Sequence, residues 1–381
     1  MSWTQPNYNQ YLLHIELSNL CNAACPICPR YWAGSRIVRP GLDPTQVTVK
    51  QFKEWFPPEF LKYQTQRVML CGNQGDPFAT KDIVPILEYI TTHLPKDRSL
   101  MTHSNGGLRR PEVWAEAGKL MQGSEMWFMW FSIDGLEDTN HLYRRNVKWT
   151  TLMKNVQAYL NVGGNAYWDM LVFKHNEKQI KAVKEFAKSL GFLGTRVKNP
   201  DGLVWDGKIQ KRGVYDEKGD LEYYIEVADD PQYINAPPDM QRNTEPPIPR
   251  VGRPPDTWQD LFISDEYNKY QNHKIDCKSL KVQGSEIMIQ CDGLVLPCCF
   301  IGELWSSGRQ DLAKQQLNNI WNTDYMYLTK NKISDIMSYL DSTIMSTWNL
   351  PDYQQGKCMY CAKICGQDSQ IDRLIHTKAG I

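Results

Sequence analysis

Residues 12 to 28 read Leu12-Leu-His-Ile-Glu-Leu-Ser-Asn-Leu-Cys21-Asn-Ala-Ala-Cys25-Pro-Ile-Cys28. An apolar stretch is followed by three cysteines that are separated by three and then by two residues. Three thiolates can hold three corners of a cubane [4Fe–4S] cluster and leave the fourth iron without a protein ligand. We therefore expect this loop to hold a cluster whose open iron binds a small molecule.

The remaining cysteines also form groups along the chain. The chain has eleven cysteines, and its start, Met1-Ser-Trp-Thr-Gln-Pro, shows no basic segment followed by an apolar run. Without a secretion signal, cysteines are better explained as metal ligands than as disulfides. A late group comprises Cys277, Cys291, Cys298 and Cys299, and a final group comprises Cys358, Cys361 and Cys365. Cys71 stands alone and is interpreted as a buried thiol.

Length and charge limit the class of protein. A chain of 381 residues can bury a sizeable core and is expected to form one large and one small domain. Because 43 basic residues balance 43 acidic ones, no global field favours nucleic acid or an anionic membrane. The longest strongly apolar run, residues 126 to 131, is too short to span a bilayer. We expect a soluble, cytoplasmic protein with no nucleic-acid or membrane partner.

Strand and helix signals alternate from about residue 11 to residue 200, which is typical of βα units around a parallel sheet. The predicted strands are 12–17, 67–71, 99–104, 126–133, 166–173 and 195–197, and the clearest predicted helices are 82–94, 111–121, 152–160 and 177–190. In the last helix, Asn176 is expected to cap the start and Gly191 the end. Six such units predict an α/β fold, an open (β/α)6 barrel. Ligands of such folds bind at the carboxyl ends of the strands, where the three-cysteine loop lies.

The pattern weakens after residue 200. Residues 231 to 255 carry eight prolines, a density that blocks both helix and central strand and is typical of an extended connector. We therefore predict three parts: a barrel over residues 1–200, a proline-rich connector over 201–276, and a small cysteine-containing domain over 277–381. The connector is a candidate source of substrate specificity, or a lid.

The three-cysteine loop, the βα alternation and the segment Ile15-Glu-Leu-Ser-Asn-Leu-Cys-Asn together resemble the radical S-adenosylmethionine (SAM) superfamily. The resemblance implies that the amino and carboxylate groups of SAM chelate the open iron of a cluster on Cys21, Cys25 and Cys28. One electron from the cluster then cleaves SAM to methionine and a 5′-deoxyadenosyl radical, which removes a hydrogen atom from the substrate. The position before the third cysteine, often aromatic in the family, is Ile27 here, so packing against adenine would be aliphatic.

The same resemblance assigns SAM contacts to residues at the ends of later strands. Gly75-Asp76-Pro77 is similar to the family's Gly-Gly-Glu segment, which accepts hydrogen bonds from the SAM ammonium; the shorter Asp76 must come closer or leave the contact to a backbone carbonyl. Ser104-Asn105-Gly106 is similar to the family's Thr-Asn-Gly turn. Both segments are also ordinary turn sequences.

The fourth strand supplies further candidates. Ser132 and Asp134 are implied to lie near the ribose and methionine ends of SAM, and Arg144 to pair with its carboxylate, a task for which a planar guanidinium is suited. Register favours Arg144 over Arg145, although paired arginines commonly form a solvated basic face. His175 is interpreted as structural or exposed, and Cys71 carries the minor alternative of a hydrogen-atom donor.

The C-terminal cysteines resemble the SPASM/twitch auxiliary-cluster extension of this superfamily. Fifteen residues separate Cys277 from Gly293, four separate Gly293 from Cys298, and Cys358-Met-Tyr-Cys361 follows later. The shorter twitch type implies one auxiliary [4Fe–4S] cluster on Cys277, Cys298, Cys358 and Cys361. Cys365 is an alternative to Cys358 or Cys361, and Cys291 or Cys299 an alternative to Cys298. Four thiolates also suit zinc, which is the rival interpretation.

Three hypotheses for the function follow. The first is a radical SAM enzyme whose auxiliary cluster transfers an electron during dehydrogenation or epimerisation of a small molecule or carbohydrate, with a flavodoxin or ferredoxin as reductant. The second is a radical SAM enzyme that modifies a peptide or protein, which is disfavoured because only about ten residues precede the first strand. The third is a non-catalytic iron–sulfur or zinc protein, which leaves Asp76, Ser132, Asp134 and Arg144 as coincidences.

Overall fold

The computed structural model describes residues 11–31, 34–39, 42–200, 203–205, 208–209, 211–234, 270–277, 279, 286–306, 320–352 and 355–366. These residues form two compact units. The first unit contains 11–14, 54–66 and the described residues from 270 onward. The second contains the described residues of 15–53 and of 67–234.

The second unit is built around a parallel sheet. Its strands, in chain order and side by side, are β2 (Thr65–Leu70, of which the first two residues belong to the first unit), β3 (Ser99–Ser104), β4 (Trp127–Ser132), β5 (Ala166–Leu171) and β6 (Gly194–Lys198). Each adjacent pair is parallel. Every residue of β4 except the last is buried, as expected for a parallel strand covered on both faces.

The first strand, β1 (Tyr11–Ile15), ends where the second unit begins. The carbonyl oxygen of Ile15 accepts a hydrogen bond of 3.2 Å from the amide of Cys71, the residue that follows β2. The loop after β1 and the loop after β2 therefore start side by side.

Helices follow the strands. They are α1 (Val49–Trp55), α2 (Ile83–His93), α3 (Pro111–Met121), α4 (Asn140–Tyr143), α5 (Trp149–Asn161) and α6 (Ile180–Leu190). Helix α6 ends at Gly191, whose φ of 94° is left-handed, a conformation that glycine adopts without the steric cost of a Cβ.

The predicted α/β class is confirmed: all six strands form within two residues of their predicted bounds, and all four predicted helices are present. One local expectation is wrong. Asn176 occupies the position before a 3-10 turn at Glu177–Gln179, but its side chain makes no capping bond. It bonds instead to the ends of β4 and β5, because a buried amide there satisfies several backbone groups at once.

The part predicted to be a connector contains ordered strands. A small antiparallel pair joins β7 (Val204–Trp205) to β8 (Lys208–Ile209), and a second joins β9 (Arg212–Tyr215) to β10 (Leu221–Ile225). The proline-rich sequence after residue 234 lies outside the described residues.

The first unit combines strands and helices with cysteines in its loops. Its elements besides β1 are β11 (Glu286–Ile289), β12 (Val295–Leu296), α7 (Cys299–Ser306), α8 (Ile333–Trp348) and α9 (Met359–Cys365). Strands β11 and β12 form an antiparallel hairpin, and β11 lies beside β1.

Residues 320 to 331 contain a short 3-10 turn at Thr323–Met326, and the long helix is α8, which begins at Ile333. Among the residues that the structure describes, no helix is both long and apolar enough to cross a membrane.

Candidate functional site

The three cysteines lie in a tightly hydrogen-bonded loop after β1. The amide of Cys28 donates to the carbonyl of Cys25 at 3.0 Å, and the hydroxyl of Tyr31 donates to the carbonyl of Ala23 at 3.0 Å. Cys25 is buried, whereas Cys21 and Cys28 are partly accessible. These hydrogen bonds hold the loop, and with it the three cysteines, in one path.

Two polar side chains from later segments of the chain point at these thiols. Asn105, which follows β3, places Nδ2 3.5 Å from the Sγ of Cys21. Arg144, which follows α4, places Nη1 3.7 Å from the Sγ of Cys25. N–H groups directed at sulfur stabilise a thiolate or a cluster-bound sulfur.

The protonation of the three thiols depends on their burial. Burial raises the pKa of all three, and it raises the pKa of Cys28 to about 12; at Cys25 the positive charge of Arg144 opposes this effect. At neutral pH the thiols are therefore protonated until a metal displaces the protons. The ligand atoms of a single ion lie within 4.8 Å of one another. The three Sγ atoms are not all this close together. This donor set fits a cluster better than one ion.

Asp76 connects the loop after β2 to the end of β3. Its Oδ1 accepts hydrogen bonds from the amide of Phe78 at 3.0 Å and the hydroxyl of Ser104 at 2.8 Å. Its Oδ2 accepts from the amide of Asn105 at 2.9 Å and from Nδ2 of the same residue at 2.8 Å. Burial raises the pKa of Asp76, and these bonds oppose the rise. The carboxyl group thus fixes the asparagine that faces Cys21.

Glu16 is a buried acidic residue of the site that sequence reasoning missed. Its Oε1 accepts hydrogen bonds from the amides of Gln74 at 2.7 Å and Gly75 at 3.1 Å, so it holds the loop after β2. Gly75 is required there, because a Cβ would stand 1.6 Å from the carbonyl oxygen of Ser18. A charged residue at the end of an apolar strand was the available signal.

Asp134, two residues after β4, forms an ion pair with Arg144. The Nε of Arg144 donates to the Oδ2 of Asp134 at 2.6 Å, and the Asp134 side chain is 0% exposed. The Oδ1 of Asp134 accepts from the amide of Leu171 at 2.6 Å, and its carbonyl accepts from the Nδ2 of Asn176 at 3.0 Å. Burial raises the pKa of Asp134, and the guanidinium opposes the rise. The pair is thereby anchored to the end of β5.

Other predicted residues are placed less directly. Arg145 does not face the thiols; its guanidinium contacts the carbonyl of Tyr215 and the carboxylate of Glu222. Pro77 begins a 3-10 turn that the Asp76 side chain caps. Ser132 ends β4 and is partly exposed, and Cys71 lies just after β2 in a partly accessible position.

The first unit holds a second group of cysteines. One cavity is lined by four of them, Cys277, Cys298, Cys361 and Cys365, together with apolar residues such as Ile275 and Trp348. An antiparallel bridge between residues 275 and 366 brings Cys277 beside Cys365, since the amide of Asp276 donates to the Cys365 carbonyl at 2.8 Å.

Cys358 has a different environment from these four. It is fully buried, and its thiol is hydrogen-bonded to that of Cys361 at the start of α9. It does not line the cavity. No three of Cys277, Cys298, Cys358 and Cys361 have Sγ atoms within 4.8 Å of one another, which departs from the spacing that a tetrahedral zinc site requires.

Comparison with known proteins finds distant structural likenesses. No family model and no curated protein matches the chain. Among solved structures, it is similar to anSMEcpe with bound AdoMet (14% identity, TM-score 0.47, 98% of this chain and 96% of that one). It is also similar to Streptococcus suis SuiB bound to precursor peptide SuiA, with 12% identity and a TM-score of 0.46 over 92% of this chain and 76% of that chain. The third likeness is to BtrN in complex with AdoMet and 2-DOIA, with 12% identity and a TM-score of 0.41 over 93% of this chain and 92% of that chain.

In SuiB bound to S-adenosylmethionine (14% identity, TM-score 0.44), the match spans 77% of this chain and 61% of that chain. Similarity at this level does not carry over an activity, a substrate or a partner.

Proposed function

We propose that this chain is a radical SAM enzyme that binds a [4Fe–4S] cluster on Cys21, Cys25 and Cys28. When bound, the cluster and SAM supply a 5′-deoxyadenosyl radical that abstracts a hydrogen atom from the substrate. The observation that carries the proposal is that two N–H donors, Asn105 after β3 and Arg144 after α4, converge on the sulfurs of the three-cysteine loop.

The chain's own residues then have distinct tasks. Asp76 accepts hydrogen bonds from four donor groups of the protein, so its proposed task is to fix Asn105, and backbone carbonyls of the loop after β2 would receive the SAM ammonium. Arg144 uses Nε for Asp134 and Nη1 for the sulfur of Cys25, so its Nη2 group is the one proposed to bind the SAM carboxylate. Asp134 keeps that guanidinium in place and charged. Ser132, Gly75 and Pro77 complete the proposed SAM surface.

The first unit is proposed to hold an auxiliary [4Fe–4S] cluster that transfers an electron. Of the alternative ligands, the cavity lining supports Cys277, Cys298 and Cys361, and it favours Cys365 over Cys358 as the fourth. The wide spacing of the sulfurs favours a cluster over zinc. A flavodoxin or ferredoxin is the proposed external reductant.

The substrate class is proposed from the side chains on one face of β4 to β6. The guanidinium of Arg196 lies 3.8 Å from the ring centroid of Trp130, and Asp169 binds Arg196 at 2.8 Å and Lys198 at 2.6 Å. Charged groups beside an aromatic ring suit a polar, hydroxylated small molecule such as a carbohydrate, which would be dehydrogenated or epimerised. A peptide or protein substrate is the alternative within the same chemistry.

The test is anaerobic reconstitution with iron and sulfide, followed by dithionite and SAM. Wild type is expected to hold about eight irons and to release 5′-deoxyadenosine, whereas the Cys21→Ala, Cys25→Ala, Cys28→Ala triple variant holds about four and releases none. Two intact clusters without SAM cleavage would overturn the proposal in favour of a non-catalytic iron–sulfur protein. About four irons plus zinc in wild type would overturn the auxiliary cluster alone.

A further inference from the structure

A mixed group of metal-binding side chains lies in the first unit and includes none of the four cysteines that line the cavity. It consists of His14 in β1, Glu286 at the start of β11 and Cys299 at the start of α7, whose ligand atoms all lie within 4.8 Å of one another. Among the described residues it is the one group of three or more His, Cys, Asp or Glu side chains at this spacing. The Nδ1 of His14 and the Oε1 of Glu286 are 3.8 Å apart.

The local fold brings these three residues together. Strand β11 lies beside β1, and the β11–β12 hairpin returns the chain so that α7 starts near β11. Helix α7 packs closely on that strand, because a Cβ at Gly302 would stand 2.0 Å from the Sδ of Met288. Three separate segments, residues 11–15, 286–289 and 299–306, therefore each supply one donor.

The distance between the His14 imidazole and the Glu286 carboxylate suits a bound ion better than a direct hydrogen bond. A distance of 3.8 Å is too long for an N–H to carboxylate hydrogen bond, which is about 2.7–3.2 Å. Two ligands about 2.0–2.2 Å from a tetrahedral zinc ion stand about 3.3–3.6 Å apart, so the ion needs an adjustment of only a few tenths of an ångström. The geometry thus has room for one ion between the imidazole and the carboxylate.

The donor chemistry and the exposure select the kind of ion. One imidazole nitrogen, one carboxylate oxygen and one thiolate sulfur suit a borderline divalent ion, whereas magnesium and calcium prefer oxygen alone. The His14 side chain is 7% exposed and that of Glu286 is 21% exposed, so the group is mostly buried but open on one side. An ion can enter there, and water can take the fourth position.

We propose that His14, Glu286 and Cys299 bind one Zn²⁺ ion, separate from both iron–sulfur clusters, that ties β1, β11 and α7 together. The proposal does not depend on radical SAM chemistry. The first unit would then bind two kinds of metal, with iron at the four cavity cysteines and zinc beside β1.

The test measures zinc and iron in the same reconstituted, cluster-loaded protein. Wild type and the variants Cys299→Ser, Glu286→Gln and His14→Asn are equilibrated with chelator-buffered Zn²⁺, desalted and analysed by mass spectrometry for metals. Wild type is expected to hold about one zinc per chain, and each variant is expected to bind zinc at least about tenfold more weakly. Cys71→Ser, which removes an unrelated thiol, keeps the wild-type zinc affinity.

Iron content and zinc X-ray absorption separate the alternatives. Unchanged iron per chain in the three variants shows that they fold, and the bound zinc is expected to have one sulfur neighbour at about 2.3 Å and nitrogen or oxygen neighbours at about 2.0–2.2 Å. No zinc in wild type, or zinc with four sulfur neighbours that the three variants leave unchanged, would overturn the proposal. The second result would place zinc at the cysteine cavity instead.

Discussion

Replacement of Arg144 by methionine tests the buried ion pair of the proposed SAM site. The Asp134 carboxylate is 0% exposed, and the Nε of Arg144 lies 2.6 Å from its Oδ2. Removal of the guanidinium leaves a buried carboxylate without its cation, which costs about 3–5 kcal/mol of folding free energy. For a folding unit of about 200 residues, each kcal/mol lowers the melting temperature by roughly 2–4 °C, so a fall of roughly 6–20 °C is expected.

The assay is anaerobic thermal unfolding followed by circular dichroism. Arg36→Met is the matched control, because Arg36 pairs at 3.3 Å with a Glu217 side chain that is 81% exposed. An exposed pair contributes about 0–1 kcal/mol, so this control is expected to melt close to wild type. The double variant Asp134→Asn, Arg144→Met removes the charge together with its partner and should recover most of the loss.

Two results would refute this reasoning. If Arg144→Met melts no lower than Arg36→Met, the pair carries none of the energy of a buried charge. If the double variant is as unstable as Arg144→Met, the loss comes from packing rather than from an unpaired carboxylate. In both Arg144→Met and the double variant, 5′-deoxyadenosine formation is expected to fall, because the proposed partner of the SAM carboxylate has been removed.

Three further predictions test separate parts of the molecule. Cys365→Ser should lower the iron content from about eight to about four per chain while Cys358→Ser keeps about eight, and the reverse pattern would return Cys358 to the ligand set. Glu16→Ala leaves two buried amide donors without an acceptor and should lower the free energy of unfolding in urea by about 2–6 kcal/mol. Glu16→Gln keeps an acceptor oxygen and should lower it less. Equal losses in the two variants would contradict the hydrogen-bonding role of Glu16. Burial lowers the pKa of His175 to about 4, so the folded state excludes a proton that the unfolded state binds below about pH 6.5. Stability should therefore fall by up to about 3 kcal/mol between pH 6.5 and 4, and His175→Phe should show a shallower fall; parallel pH profiles would contradict this.

Much of the barrel could be predicted because its signals are local. The six strands and four helices follow from runs of apolar residues at period two or 3.6, and Gly191 ends α6 because only glycine adopts its φ without strain. The spacing of Cys21, Cys25 and Cys28 is also a local pattern, and it predicts a cluster loop before any contact is known.

Tertiary contacts decided the roles of individual polar groups. Asn176 sits where a helix cap was expected, yet its amide bonds to the carbonyl of Asp134, 42 residues away. Glu16 holds amides 58 and 59 residues further along the chain, a partnership that no periodicity encodes. A buried polar side chain takes whichever partners the packed strands bring within hydrogen-bond distance, and those partners are set by the sheet rather than by sequence neighbours.

The C-terminal unit shows the same division most clearly. The spacing of Cys358, Cys361 and Cys365 along the chain predicts that they form one group, with two of them at metal-ligand spacing. The fold is needed to place Cys365 beside Cys277 through the bridge at residue 275, and to bring His14 close to Glu286 and Cys299. The sequence specifies which side chains can bind a metal. A metal centre requires its ligands within a few ångströms of one another, so the fold decides which of these side chains share one site.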